Sequence, residues 1–94
     1  MQKIDINQFI REIQGKNINV LSIDNNNNSD KFEVYNLIAV NDKNDFIDIY
    51  DNTDNDYFVT CFDATNIIKY NYIGNNIIYT IKSDNVISFI KILN

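Results

Sequence analysis

Residues that could act as catalysts are scarce in this chain. It has no histidine, which is the commonest general base, so its single cysteine, Cys61, has no imidazole to activate the thiol. Cys61 falls within an apolar, β-rich run, residues 57–62, where a small buried side chain is the simpler interpretation. We predict that the protein is not an enzyme.

Two stretches rich in aspartate and asparagine, 24–30 and 51–56, offer the side-chain oxygens that calcium prefers. A calcium-binding loop also needs glycine at its sixth position and a closing glutamate. The sixth residues here are Ser29 and Asp56, and neither stretch has the glutamate. We therefore predict no metal and no cofactor.

Carboxylates are the functional groups that the chain has in excess. Its 94 residues include 13 acidic and 8 basic side chains, which gives a net charge of −5. The segment 42–56 holds six aspartates and one lysine, so its own charge is also −5. Such a surface repels nucleic acid and favours a basic protein partner, although the same aspartates are also typical of a merely solvated loop.

The composition predicts one soluble folded domain, residues 1–94. A hydrophobic content of 45% argues against disorder, and no apolar run is long enough to cross a bilayer. The first residues lack the apolar core of a signal peptide, and one cysteine cannot form an intramolecular disulfide. These features favour a cytoplasmic location.

Local patterns predict most of the elements that would position these groups. Apolar residues at helical spacing, with Asp5 as a cap and Gly15 as a stop, predict a helix over 6–14. The four asparagines at 25–28 predict a loop. Alternation of apolar and polar residues predicts strands at 18–24, 46–50, 57–62, 76–81 and 86–93, with a short strand within 65–72. The run 86–93 also satisfies a helical period.

Residues 30–40 fit two interpretations. Phe32, Val34 and Ile38 alternate as in a strand, whereas Val34, Leu37 and Ile38 share a helical face. Asn36 interrupts the strand face, and Ser29 is a good helix cap. We therefore expect a second helix here.

The run from Tyr50 to Asp54, continuing through Phe58 to Ala64, resembles the phage-encoded uracil-DNA glycosylase inhibitor family. Further similarities follow in order along the chain, at Gly15-Lys16, Glu33-Val34, Leu37-Ile38, Asp84-Asn85 and 90–93. The resemblance implies an α+β fold with two helices packed on a five-stranded antiparallel sheet, in the order α-β-α-β-β-β-β. The second helix would span 30–39.

The resemblance also implies a mechanism, in which the inhibitor mimics DNA inside the basic cleft of uracil-DNA glycosylase. Its first strand enters the cleft, its carboxylates replace phosphates, and an apolar pocket receives the side chain that the enzyme wedges into DNA. By position, the acidic contacts would be Asp24, Glu33 and Asp63, and the contacting strand would include Ser22, Ile23 and Asn25. The pocket would be lined by Val34, Leu37, Ile38, Phe46, Phe58 and Thr60. One inhibitor would bind one glycosylase, without nucleic acid or membrane.

The chain departs from this family at the first strand. The family has a Gln-Glu-Ser motif there, and the ungapped equivalent is Leu21-Ser22-Ile23, which has no acid. Asp24 replaces the missing glutamate if the strand is lengthened, because a shift of two residues keeps the same strand face.

Two other functions remain open. The runs Ile6-Asn7, Ile10 to Ile13 and Val40-Asn41 resemble parts of an anti-CRISPR protein that inhibits a Cas nuclease, which would make this chain an acidic inhibitor of another DNA-binding enzyme. A structural or assembly module whose acids only keep it soluble is the other alternative.

Overall fold

The computed structural model describes residues 1–41, 46–53, 59–63, 66–72, 74 and 76–93, with the backbone alone for residues 59–63 and 72. Within these residues the chain forms one helix and nine strands. In chain order they are β1 (Gln2–Ile4), α1 (Ile6–Ile13), β2 (Asn17–Asp24), β3 (Ser29–Val34), β4 (Ile38–Asn41), β5 (Phe46–Tyr50), β6 (Val59–Asp63), β7 (Ile67–Tyr72), β8 (Asn76–Lys82) and β9 (Val86–Leu93).

The strands form two antiparallel sheets. The larger sheet has the order β1-β7-β8-β9-β2-β3, and the smaller one has the order β4-β5-β6. Most neighbours are consecutive in the chain, as expected for hairpins. The long pairing of β9 with β2 runs from Asn17 opposite Leu93 to Asp24 opposite Val86 and joins two strands that are distant in sequence.

The predicted N-terminal helix is confirmed as α1. The Asp5 carboxylate accepts a hydrogen bond from the backbone N–H of Gln8 at 2.7 Å and so caps the first turn. Gly15 follows the helix with a φ of 70°, a left-handed conformation that suits glycine and ends the helix. Phe9 and Ile13 are buried and fix α1 on the core.

The predicted strands at 18–24, 46–50, 76–81 and 86–93 are confirmed as β2, β5, β8 and β9, and the short strand within 65–72 is β7. The predicted loop at 25–28 is the β2–β3 turn, in which Asn27 has a φ of 62°. The second strand of the central hairpin is β6, whereas residues 57 and 58 lie outside the described residues. β1 was not predicted, because its three residues are too few to show alternation.

The prediction of a second helix over 30–39 is wrong, and with it the prediction of two helices on a five-stranded sheet. The segment forms β3 and β4 instead, separated by Asn36 with a φ of 48°. The backbone N–H of Leu37 donates to the Lys16 carbonyl at 3.0 Å, and the Leu37 carbonyl accepts from Gly15 at 2.9 Å. Because these partners are distant in sequence, the backbone groups are not available for helical hydrogen bonds.

The described buried side chains form one cluster to which α1 and both sheets contribute. Ile18 and Val20 enter it from the large sheet, and Ile47 and Ile49 enter it from the small sheet. Since strand side chains alternate, each sheet turns its other face outward. No helix among the described residues is long and apolar enough to cross a membrane.

Candidate functional site

The predicted contact strand, residues 22–25, covers the end of β2 and the start of the β2–β3 turn. Both oxygens of the Asp24 carboxylate are used there: Oδ1 accepts from the backbone N–H groups of Asn26 and Asn28 at 2.9 Å, and Oδ2 accepts from the Asn28 amide at 3.2 Å. The Asn28 backbone bond is the largest of the effects that lower the pKa of Asp24 below its usual value. Ser22 bonds to Ser88 at 2.8 Å, and Asn25 bonds to Asn85 at 3.1 Å. These polar groups therefore already have partners in the free protein.

The three acidic residues predicted to contact the partner belong to different parts of the fold. Asp24 lies beside the β2–β3 turn, whereas Glu33 lies near the open end of that hairpin, opposite Asn19. The Tyr35 hydroxyl donates to the Glu33 carboxylate, and this bond raises the pKa of Tyr35. Asp63 belongs to the small sheet, at the position opposite Phe46.

The residues predicted to line a pocket divide between the core and the surface. Val34 and Leu37 are buried in the core, whereas Ile38 and Phe46 are exposed on the outer face of the small sheet. Thr60 stands opposite Ile49 in the β5–β6 register, and its side chain is not described. Phe58 lies outside the described residues.

The outer face of the small sheet combines apolar side chains with a carboxylate. We call it the acidic face and define it by Ile38, Val40, Phe46, Asp48 and Tyr50. Val40 stands opposite Asp48, and Ile38 stands opposite Tyr50. Ile38, Val40 and Phe46 expose 40%, 47% and 38% of their surfaces, which is unusual for three large apolar residues so close together.

Within the part of the chain that the structure describes, the strands of the small sheet carry charge of one sign. The described strands of the small sheet carry Asp48 and Asp63 and no lysine or arginine. Asp51 follows β5 and holds the next turn, since its carboxylate accepts from the backbone N–H groups of Tyr35 and Thr53 and from the Thr53 hydroxyl. The Thr53 hydroxyl is the largest of the effects that lower the pKa of Asp51.

The outer face of the large sheet has the opposite character. Its side chains form three rows across the strands, fixed by the register. The first row is Lys3, Ile68, Thr80, Phe89, Leu21 and Lys31; the second is Tyr70, Ile78, Lys91, Asn19 and Glu33; the third is Lys82, Ile87, Ile23 and Ser29. We call this surface the lysine-rimmed face, because four lysines and one glutamate surround its apolar centre.

A cleft of about 300 Å³ lies at one end of the lysine-rimmed face. The apolar side chains of Ile23, Ile87 and Phe89 line it together with Lys82 and with the polar β2–β3 and β8–β9 turns, which include the acids Asp24 and Asp84. A smaller cleft of about 220 Å³, lined by Ser22, Asp24 and Asp30 among others, lies beside the same β2–β3 turn. The four predicted residues 22–25 therefore line clefts, but not the acidic face.

One cluster of ionisable groups was not predicted at all. The Glu12 carboxylate lies 2.6 Å from the Lys69 ammonium and accepts a 2.6 Å hydrogen bond from Tyr79 and a 2.8 Å bond from Gln8. Burial raises the pKa of Glu12, but these donors outweigh it and hold that pKa below its usual value. Burial and the Glu12 carboxylate raise the pKa of Tyr79 well above its usual range. The cluster fastens α1 to β7 and β8 and leaves no group free as a base or nucleophile.

Sequence reasoning missed the lysine-rimmed face because its lysines come from four separate strands. The only local signal was that Lys31, Lys82 and Lys91 alternate along their strands with buried or partly buried residues. This alternation marks each lysine as outward-facing but does not show that the lysines lie on one surface.

No group of residues that could hold a metal ion occurs within the described part of the chain. No protein-family model, no curated protein and no solved structure matches the chain.

Proposed function

We propose that the protein is a non-catalytic inhibitor that uses its acidic face to bind the basic DNA-binding cleft of an enzyme that acts on DNA. The observation that carries this proposal is the separation of charge between the two sheets. The described strands of the small sheet carry Asp48 and Asp63 and no base beside exposed apolar side chains, whereas four lysines rim the outer face of the large sheet. The sequence segment that includes β5 carries the whole net charge of −5.

Such a face has the two properties that a DNA mimic needs. Carboxylates on this face and beside it can pair with the lysines and arginines that bind phosphates, and this attraction steers the two proteins together. Exposed Ile38, Val40 and Phe46 can receive an apolar side chain that the enzyme would otherwise insert between bases. Burying one such side chain contributes about 1.5–3 kcal/mol.

Uracil-DNA glycosylase is the target that the sequence resemblance indicates, and it is the first enzyme to test. Residues 30–39 form strands and not the second helix that would make one wall of the family's pocket. The proposed contact is therefore the acidic face and not a groove between a helix and a sheet. An acidic inhibitor of another DNA-binding enzyme, such as a Cas nuclease, would use the same surface. In either case we place the protein in the cytoplasm of a phage-infected cell, bound one to one with its target.

The test is a titration of uracil release with wild-type protein and two variants. Phe46 and Phe89 expose nearly equal surface, 38% and 37%, but lie on the acidic face and the lysine-rimmed face respectively. Phe46→Asn is expected to weaken inhibition at least tenfold, and Phe89→Asn is the matched control. Wild-type protein that neither slows the glycosylase nor binds a panel of DNA-binding enzymes would refute the proposal. Equal losses in both variants would exclude the acidic face.

A further inference from the structure

The lysine-rimmed face is a surface that the proposed function does not use. Ile87 and Phe89 are exposed at its centre, and Leu21 and Ile23 of the neighbouring strand lie directly opposite them. No described carboxylate forms an ion pair with Lys3, Lys31, Lys82 or Lys91; the ion pair that the described residues do form, Lys69 with Glu12, lies elsewhere. An apolar sheet face with unpaired cations at its rim has the composition of a protein interface for an acidic partner.

Charge decides between the possible partners of this face. Two lysine-rimmed faces placed against each other would bring eight lysines together, so a symmetric contact through this surface is disfavoured. Nucleic acid would meet four favourable lysines but also the repulsion of a chain with a net charge of −5. A local acidic and apolar surface fits better, because it neutralises the lysines and covers the apolar centre.

The same chain carries such a surface on its other sheet. The acidic face is also the outer face of a sheet with exposed apolar side chains, and its carboxylate, Asp48, has the opposite charge. We propose that the lysine-rimmed face of one molecule binds the acidic face of a second copy. Two sheets can pack face to face with interdigitated side chains, which is the ordinary packing of β-sandwich cores.

This contact joins two different surfaces. A pair of molecules therefore leaves an acidic face free at one end and a lysine-rimmed face free at the other. Association is therefore open-ended unless the geometry closes a ring. The inference goes beyond the proposed function and does not rest on it. The two are nevertheless connected, since a second copy would cover the acidic face and compete with a basic target.

Sedimentation velocity on purified protein tests the contact. In low salt the average mass should rise above 11.0 kDa with concentration. It should fall back in about 1 M salt, where the screening length is about 3 Å. Replacing Lys31→Glu and Lys91→Glu together should keep the protein monomeric. The control pair Arg11→Glu and Lys16→Glu changes the net charge equally at exposed residues that belong to neither face, with Lys16 beside the β4 edge of the acidic face, and it should associate more strongly than the Lys31/Lys91 pair.

A mixing experiment distinguishes this contact from any symmetric one. The Lys31/Lys91 variant keeps its acidic face, and a variant with Phe46→Asn and Asp48→Lys keeps its lysine-rimmed face. Each should be monomeric alone, and the mixture should give a one-to-one complex and nothing larger. Thermal melts of each variant establish that it is folded.

Three results would overturn the inference: wild-type protein that stays monomeric in low salt, a mixture without the one-to-one complex, or a control pair that is as defective as the Lys31/Lys91 pair. Tight binding of a single-stranded oligonucleotide that is lost with Lys31 and Lys91 would assign the face to nucleic acid instead. Failure of self-association leaves the inhibition test unaffected, because that test uses the acidic face of a monomer.

Discussion

The side-chain amide of Gln14 hydrogen-bonds to both backbone groups of Ala39. Its Oε1 accepts from the Ala39 N–H at 3.1 Å, and its Nε2 donates to the Ala39 carbonyl. The amide thus occupies the place of a neighbouring strand at the free edge of β4. Gly15 and Lys16 continue this pairing with Leu37, so the connection after α1 covers the edge of the small sheet.

Replacing Gln14 by alanine should therefore destabilise the protein by about 1–3 kcal/mol, because two partly buried backbone groups lose their partner. Gln2→Ala is the control, since Gln2 is exposed on β1, and its effect should stay within about 0.5 kcal/mol. Urea unfolding of the two variants measures the difference. Equal stabilities would mean that water replaces the Gln14 amide without cost.

The Glu12 cluster predicts how stability depends on acid. The pKa of Glu12 is lower in the folded protein than its ordinary value of 4.5, so the unfolded chain binds a proton first as the pH falls. The contribution of Glu12 is therefore complete above pH 4.5 and is lost as the pH falls through the folded pKa.

Glu12→Gln should be less stable than wild type at neutral pH and should lose less stability on acidification. Unfolding free energies measured above and below pH 4.5 provide the comparison. Asp24→Asn and Asp51→Asn serve as references, because the pKa values of Asp24 and Asp51 are also lowered although neither carboxylate belongs to the Glu12 cluster. If Glu12→Gln and wild type lose the same unfolding free energy on acidification, Glu12 is not a source of the acid dependence.

Local information in the sequence was sufficient for α1 and for most strands. The cap at Asp5, the apolar spacing and Gly15 all lie within the helix or beside it, and the hairpins are separated by recognisable turns. The error at 30–39 has a non-local cause, since groups that pair with this segment belong to residues 14–22 and 49–50. No pattern within the segment reveals that Leu37 will pair with Gly15 and Lys16.

The candidate surfaces were only partly predictable from local patterns in the sequence. The acidic segment and its apolar neighbours were visible in the sequence, but Ile38 was expected on a helix that faces Phe46, whereas both residues lie on strands of the small sheet. That Val34 and Leu37 lie in the core could not be read from spacing, because the helical and extended patterns share the same residues. The lysine-rimmed face depends on the pairing of β9 with β2 and β8, which only the fold establishes.

Asn36 provides a test of the turn that replaces the predicted helix. Its φ of 48° is left-handed, and its backbone N–H donates to the Asn17 side chain at 3.0 Å. Asn36→Gly should be neutral within about 0.5 kcal/mol, because glycine adopts this conformation readily. Asn36→Val keeps the N–H but should cost about 1–2 kcal/mol, since a β-branched residue is strained there. Thermal melts would show the reverse order if the segment were helical, because glycine disfavours a helix interior more than valine does.

Leu37 and Ile38 are adjacent in the chain but differ in their surroundings, and this difference separates folding from binding. Leu37 is 1% exposed in the core, and Ile38 is 40% exposed on the acidic face. Leu37→Asn leaves a cavity and buries an amide, so it should destabilise the protein by about 3 kcal/mol or more. Ile38→Asn should cost less than about 1 kcal/mol of stability, because water already reaches its side chain.

The effects of the two substitutions on inhibition should show the reverse order. Below its melting temperature, the folded fraction of Leu37→Asn should inhibit normally, whereas Ile38→Asn should be folded and weaker by about 2 kcal/mol. Melting curves and inhibition titrations on the same samples make the comparison, and an Ile38→Asn variant with full potency would remove Ile38 from the binding surface.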